Sequence, residues 1–243
     1  IREKILVDVI PISLGIETEG GIYAKIMEKN TAIPASRSRI FTNSADDQET
    51  MNIHVLQGER AVAASNMTLA RFDLCGMPPG KRGEAFVEVK FDINADGILH
   101  VSAKDLHTEN SNALRVSPRF YGLTDTEIER MSKEAHEGME NDRMECERTK
   151  TVIMAKNMSS AARMFVEERL RSGIAGSSAQ IEEIEASILK LEAALTDGDR
   201  GLMKTMTDVL ERRIKAVDPL KIPAVQAALP VKSRYERKTN GTQ

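Results

Sequence analysis

The first half of the chain is most readily understood from residues 51–55, Met51-Asn52-Ile53-His54-Val55. Their apolar side chains fall on one face and their polar side chains on the other, a period of two that is typical of half-buried strands. The same alternation recurs in Phe86-Val87-Glu88-Val89-Lys90-Phe91 and in Ile98-Leu99-His100-Val101-Ser102. Between these two runs stands Asp96-Gly97, a strong hairpin signal. Short strands separated by such turns indicate an antiparallel sandwich or barrel.

The character of the sequence changes near residues 117–124. Thr124 and Glu127 have the spacing of a capping box, which predicts a helix that begins there and continues without proline to about Ser172. Gly138 is the weak point of this helix, and we expect a bend there. Apolar residues at helical spacing predict two further helices. They are Ile181, Ile184, Ile188, Leu191 and Leu195 in the second helix, and Leu202, Met206, Val209, Leu210, Ile214 and Val217 in the third.

These patterns predict an α+β fold, in which an antiparallel β-sandwich is followed by an α-helical bundle. We place the sandwich at residues 8–118 and the helices at residues 123–218. Residues 219–243 contain three prolines and end in a polar run, so we expect a flexible tail. The chain starts with Ile1 rather than methionine, so we expect it to be a piece of a longer protein.

Composition excludes several kinds of partner. The 243 residues carry a net charge of -3, which gives no reason to expect binding to nucleic acid or to a membrane. Aromatic residues make up 4% of the chain and tryptophan is absent, too few rings for a base-stacking surface. The two cysteines, Cys75 and Cys146, provide no disulfide framework. We therefore expect a reducing, cytoplasmic location.

No pattern for catalysis or metal binding is present in the sequence. The four histidines, His54, His100, His107 and His136, have neither metal-ligand spacing nor an obvious nucleophile to activate. His54 and His100 alternate to the outer face of predicted strands, so we expect both to be solvated. No phosphate-binding loop of the GxxxxGK[ST] type occurs. We therefore predict a chain that binds no metal and is not itself an enzyme.

Several long, ungapped stretches resemble the substrate-binding domains of Hsp70 (DnaK-type) chaperones. They are Asp8-Val9-Ile10-Pro11-Ile12-Ser13-Leu14-Gly15-Ile16-Glu17-Thr18, Lys29-Asn30-Thr31 with Ile33-Pro34, Ile53-His54-Val55-Leu56-Gln57-Gly58-Glu59-Arg60, Asp96-Gly97-Ile98-Leu99 and Val101-Ser102-Ala103-Lys104-Asp105. Leu69-Ala70-Arg71-Phe72 and Tyr121-Gly122-Leu123-Thr124-Asp125 are similar to the HscA-like branch that serves iron–sulfur cluster assembly.

The resemblance implies that the sandwich grips short extended peptides of unfolded or client proteins, with a leucine in a central pocket, and that the helices form a lid. Carried over by position, the pocket residues are Leu14, Ile16, Phe41, Met51, Ile53 and Val55. The residues implied near the peptide backbone are Thr18, Gly20, Thr42 and Asn52. Without the family, the six pocket residues would simply be sandwich core; Leu14 and Val55 lie deepest.

Two departures from the family pattern concern the roof of the peptide channel. Two residues, usually apolar, arch over the peptide, and here they are Glu19 and Ser44. A polar arch implies faster release, or a preference for peptides with a basic residue near the centre. Asp46 and Arg82 match the sandwich side of the latch that holds the lid. The lid position that usually supplies an acid is Lys156, which we expect to repel Arg82.

The resemblance also implies a multidomain chaperone that works with partner proteins. Residues Ile5, Leu6 and Val7 resemble the end of the linker to an ATPase domain, where ATP and Mg²⁺ would bind. A J-domain cochaperone and a nucleotide exchange factor are the implied partners, and stress response is the implied setting. Alternatives are a specialised chaperone for an iron–sulfur scaffold, or an interaction scaffold that works through its helical bundle. Leu229-Pro230-Val231-Lys232 itself resembles a client, so self-association through the tail is a further hypothesis.

Overall fold

Alternating apolar side chains build two four-stranded antiparallel sheets in the computed structural model, which describes residues 8–116, 124–172 and 178–218. The strands are β1 Leu14–Thr18, β2 Ile22–Met27, β3 Ala35–Thr42, β4 Thr50–Gln57, β5 Met67–Cys75, β6 Phe86–Ile93, β7 Leu99–Asp105 and β8 Ser111–Val116. One sheet has the order β2-β1-β4-β5 and the other β3-β6-β7-β8. The helices that follow are α1 Asp125–Ser172, α2 Ser178–Asp197 and α3 Arg200–Val217. The predicted α+β fold, a β-sandwich followed by helices, is confirmed.

The inner faces of the two sheets share one core. Met51, Ile53 and Val55 of β4 point into it, as the period of two predicts, and so do Val89 and Phe91 of β6. The predicted hairpin joins β6 to β7. There the side chain of Asn94 accepts hydrogen bonds from the amides of Asp96 and Ile98, and Gly97 has a φ of 73°. The left-handed backbone at Gly97 is the reason that a glycine follows Asp96.

The helices begin and end close to their predicted limits. Thr124 and Glu127 form the capping box: the Glu127 carboxylate accepts from the Thr124 amide at 2.8 Å, and the Thr124 hydroxyl accepts from the Glu127 amide at 3.3 Å. The second half of α1 packs with α2 and α3 around a separate apolar core that includes Met158, Ile184 and Leu210. The sandwich and the helices therefore each have their own core, and the middle of α1, residues 138–157, contacts the sandwich.

Some predicted features lie outside the described residues. The linker residues Ile5, Leu6 and Val7 belong to residues 1–7, and the proline-containing tail covers residues 219–243. The helix α1 runs through Gly138 as one element, and the bend expected there stays a prediction.

Candidate binding site beneath the first helix

A cavity of about 850 Å³ lies between one end of the sandwich and α1. Ile16 from β1, Phe41 from β3, and Met51 and Ile53 from β4 line it, and Ile153 of α1 faces them. All four residues predicted near a peptide backbone, Thr18, Gly20, Thr42 and Asn52, also line it. The two remaining pocket candidates, Leu14 and Val55, are 0% exposed in the sandwich core.

The turn between β1 and β2 carries one rim of the cavity and touches α1. Thr18 starts the turn by donating its hydroxyl proton to the carbonyl of Ile22 at 2.9 Å. Gly20 has a φ of 76°, and a Cβ placed on it would lie 2.1 Å from Cγ2 of Thr149. Glycine therefore satisfies two demands here, the left-handed backbone and the close approach of α1.

The two arch residues are joined by Arg82 rather than by an apolar contact. Its guanidinium forms a bidentate ion pair with Glu19, with Nη1 donating to Oε1 at 3.1 Å and Nη2 donating to Oε2. Nη1 also donates to the carbonyl oxygen of Ser44. We call Glu19, Ser44 and Arg82 the roof, because all three line the cavity and together cross from one rim to the other.

The helix α1 holds this roof through two neighbouring residues. Nε of Arg82 donates to Oδ1 of Asn157 at 2.7 Å, and Nζ of Lys156 lies 3.9 Å from Oε1 of Glu19. Asp46 accepts from the backbone amide of Arg82 at 2.8 Å. Repulsion between Lys156 and Arg82, expected from the sequence, is offset because both cations contact the same Glu19 carboxylate.

A second contact between α1 and the sandwich was missed by the sequence analysis. Arg60 binds Asp142 in a bidentate manner, with Nε to Oδ2 at 2.8 Å and Nη2 to Oδ1 at 2.5 Å. The Ala61 amide donates to the same carboxylate at 3.1 Å, and the Cys146 thiol lies 3.6 Å from the Ala61 carbonyl. The hydrogen bonds from Arg60 hold the pKa of Asp142 below its usual value.

Gly138 makes room for this ion pair. A Cβ on Gly138 would lie 2.5 Å from Cζ of Arg60. The residues of α1 that meet the sandwich recur every three or four positions, and we call them the docking stripe: Gly138, Asp142, Cys146, Thr149, Ile153 and Asn157. The stripe is mostly small and polar, so a search for apolar periodicity does not detect it.

Comparison with known families agrees with this architecture. The profile of the family described as Hsp70 protein matches residues 1–220. The chain belongs to the Hsp70 family. It is therefore a chaperone of the Hsp70 kind, and we refer to α1–α3 as its lid.

His54 of this Hsp70 chain is not solvated, contrary to the expectation from its strand position. It is 6% exposed, because the side chains of neighbouring strands cover it. Nδ1 lies 2.6 Å from Oε2 of Glu17, and Nε2 lies 2.8 Å from the hydroxyl of Thr68. His54 thus ties β4 to β1 and β5 beside the cavity. His100 is exposed as predicted.

The described part of the Hsp70 chain holds neither a cluster of metal-ligating side chains nor a membrane-spanning helix. Within residues 8–116, 124–172 and 178–218, no group of three or more His, Cys, Asp or Glu side chains is arranged to hold a metal ion. In the same ranges, the helices lack the combination of length and apolar character that a membrane span requires.

Proposed function

We propose that the cavity binds an extended apolar segment of an unfolded or client polypeptide, with one leucine-sized side chain in the pocket. The observation that supports this is the convergence of Ile16, Phe41, Met51 and Ile53 from three different strands on one cavity beneath a polar roof. A concave site that combines an apolar wall with polar groups is typical of a ligand site. The alternation of β1 and β4 explains why these side chains meet there.

The expected affinity is moderate. Burying one leucine side chain contributes roughly 1.5–3 kcal/mol, and each backbone hydrogen bond to the peptide adds about 0.5–1.5 kcal/mol. Ordering the peptide opposes these contributions. The balance is consistent with a Kd on the order of micromolar, strong enough to hold a client and weak enough to release it.

The wider setting follows from family membership and is part of the proposal. This chain would work beside an ATPase domain that binds ATP and Mg²⁺, with a J-domain cochaperone and a nucleotide exchange factor controlling the cycle. This chain itself would not hydrolyse ATP, and its place of work would be the cytoplasm. The sequence of residues 69–72 favours a specialised client, an iron–sulfur scaffold, as the second candidate.

The test is fluorescence anisotropy with a labelled leucine-centred heptapeptide. Met51→Gln introduces a polar side chain of similar length at the cavity wall and should weaken binding at least tenfold. Met77→Gln is the matched control, because Met77 is a buried methionine of the same core that does not line the cavity. Circular dichroism establishes that both variants are folded. Equal affinities for the two folded variants would contradict the proposed site.

A further inference from the structure

Asn43 adjoins the roof and uses all of its side-chain hydrogen-bonding capacity. It is 4% exposed and directly follows the last residue of β3. Its Nδ2 donates to the carbonyls of Ala45 at 2.8 Å and Lys81 at 2.9 Å. Its Oδ1 accepts from the amides of Gly83 at 2.9 Å and Ala85 at 3.0 Å. A carboxamide has two donor hydrogens and two acceptor lone pairs, so every one of them is paired.

These bonds fix the backbone on both sides of Arg82. Its two neighbours in the chain are Lys81 and Gly83, and one side chain, that of Asn43, binds both of them. A fixed backbone limits the directions that the guanidinium can take, and here it points across the cavity to Glu19. The residue that closes the roof is therefore positioned by a residue that is not itself part of the roof.

The two loops that Asn43 joins, residues 43–49 and 80–85, are also joined along their backbones. The Asp47 amide donates to the Gly80 carbonyl at 2.7 Å. By contrast, the hydrogen bonds that cross from these loops to Glu19 come from a single guanidinium group, in the part of the chain that the structure describes. We call residues 43–49 and 80–85 the loop pair, and the β1–β2 turn lies opposite it across the cavity.

Two ways of opening the roof can be compared by the groups that each leaves unpaired. Separating the two loops would strip the buried Asn43 amide and the backbone groups that it binds, and each such group costs its full desolvation. Separating Arg82 from Glu19 leaves two charged side chains, and the Glu19 side chain, already 27% exposed, can be hydrated. The second way therefore costs less.

We propose that Asn43 is a positioning residue for peptide retention. It makes the loop pair one rigid unit, so the roof opens where Arg82 meets Glu19 and not between Arg82 and Ser44. The inference rests on the proposed function, because the roof acts on release only if a peptide lies beneath it.

The test is the rate of peptide release from Asn43→Ala, measured with and without Glu19→Gln in the full chain. Because Asn43 acts through the contact of Arg82 with Glu19, Asn43→Ala should accelerate release at least about fivefold when Glu19 is intact. The acceleration should be less than about twofold in the Glu19→Gln chain, where that contact is already weakened. A general loss of stability would instead give the same factor in both chains.

A matched control and a second measurement accompany this comparison. Asn94→Ala is the control, because Asn94 binds the amides of Asp96 and Ile98 in a turn that does not line the cavity. It should leave release unchanged. Hydrogen exchange of the unaltered chain needs no substitution, and the amides of residues 43–49 and 80–85 should open with one common free energy.

The outcomes separate this inference from the proposed function. If a peptide binds saturably but Asn43→Ala accelerates release equally in the two chains, or not at all, the inference is overturned while the binding site stands. Separate opening of the two loops in hydrogen exchange would also overturn it. If no peptide binds the folded wild-type chain, the proposed function fails and the inference fails with it.

Discussion

Replacing Gly138 with alanine should loosen the lid even though alanine is the better helix former. In an exposed helix, Gly→Ala stabilises by up to about 1 kcal/mol. Here the new Cβ would lie 2.5 Å from Cζ of Arg60, closer than such atoms approach. The guanidinium, at the end of a flexible side chain, has to shift to make room, and that shift disturbs its bidentate contact with Asp142, whose side chain is 6% exposed. The gain in helix propensity therefore competes with the loss of a half-buried ion pair.

The loss is the larger of the two effects. A hydrogen-bonded contact to a charged group contributes about 1.5–3 kcal/mol, and the two side chains of this pair are only 25% and 6% exposed. After subtraction of the helix gain, docking of the lid should weaken by about 1–2 kcal/mol, or roughly 5- to 30-fold in its equilibrium constant. Release of a bound peptide should accelerate accordingly.

The assay is the dissociation rate of a labelled peptide after addition of unlabelled competitor, with hydrogen exchange in α1 as a second readout. Gly201→Ala on α3 is the control, because its Cβ would have ordinary contact at 3.4 Å from Oδ1 of Asp199. That variant should leave release unchanged. Slower or unaltered release from Gly138→Ala would refute the reasoning, because it would mean that Arg60 and Asp142 do not hold the lid.

Three further predictions concern the same interface. Hydrogen bonds from Arg60 lower the folded-state pKa of Asp142, so the ion pair stabilises lid docking fully above the unfolded pKa of about 4 and loses this effect as pH falls through the lower folded pKa. Peptide release measured over a pH series should therefore accelerate at acid pH in wild type but not in Asp142→Asn. Arg82→Lys keeps the charge but loses the bidentate geometry, so release should accelerate several-fold in the same assay, and a rate equal to wild type would contradict the roof. Gly20→Ala should destabilise lid docking for two reasons, the positive φ of Gly20 and the clash of the new Cβ with Thr149. Adding Thr149→Ala to the same chain removes only the clash, so protection of α1 from hydrogen exchange should recover only in part. Full recovery would exclude backbone strain.

Local patterns predicted the elements because their causes are local. The Asp96-Gly97 hairpin and the Thr124 capping box depend on residues within a few positions of each other, and both form as expected. Apolar periodicity likewise identified α2 and α3, because each buries one face in a common core. These turns, caps and amphipathic helices can therefore be predicted without knowing which residues pack against them.

The contacts of the lid could not be predicted in the same way. Arg60 and Asp142 are 82 positions apart in the chain, and neither belongs to a local motif. His54 looked solvated because strand alternation indicates a face but not what covers it, and here Glu17 and Thr68 do. Arg82 was expected in the latch, but its bidentate contact with Glu19 depends on how two loops meet.

The unbroken course of α1 has a mechanical consequence. Its 48 residues extend about 72 Å along the helix axis. Lys156 and Asn157 lie between Ala155 and Met158, which are buried in the bundle core, so the contacts with the roof are made where α1 packs against α2 and α3. Asp142 lies about 22 Å nearer the end at which α1 begins, at Asp125. Fraying from that end would detach Asp142 first and leave the roof closed, whereas tilting the bundle would act as a lever and lift the roof directly.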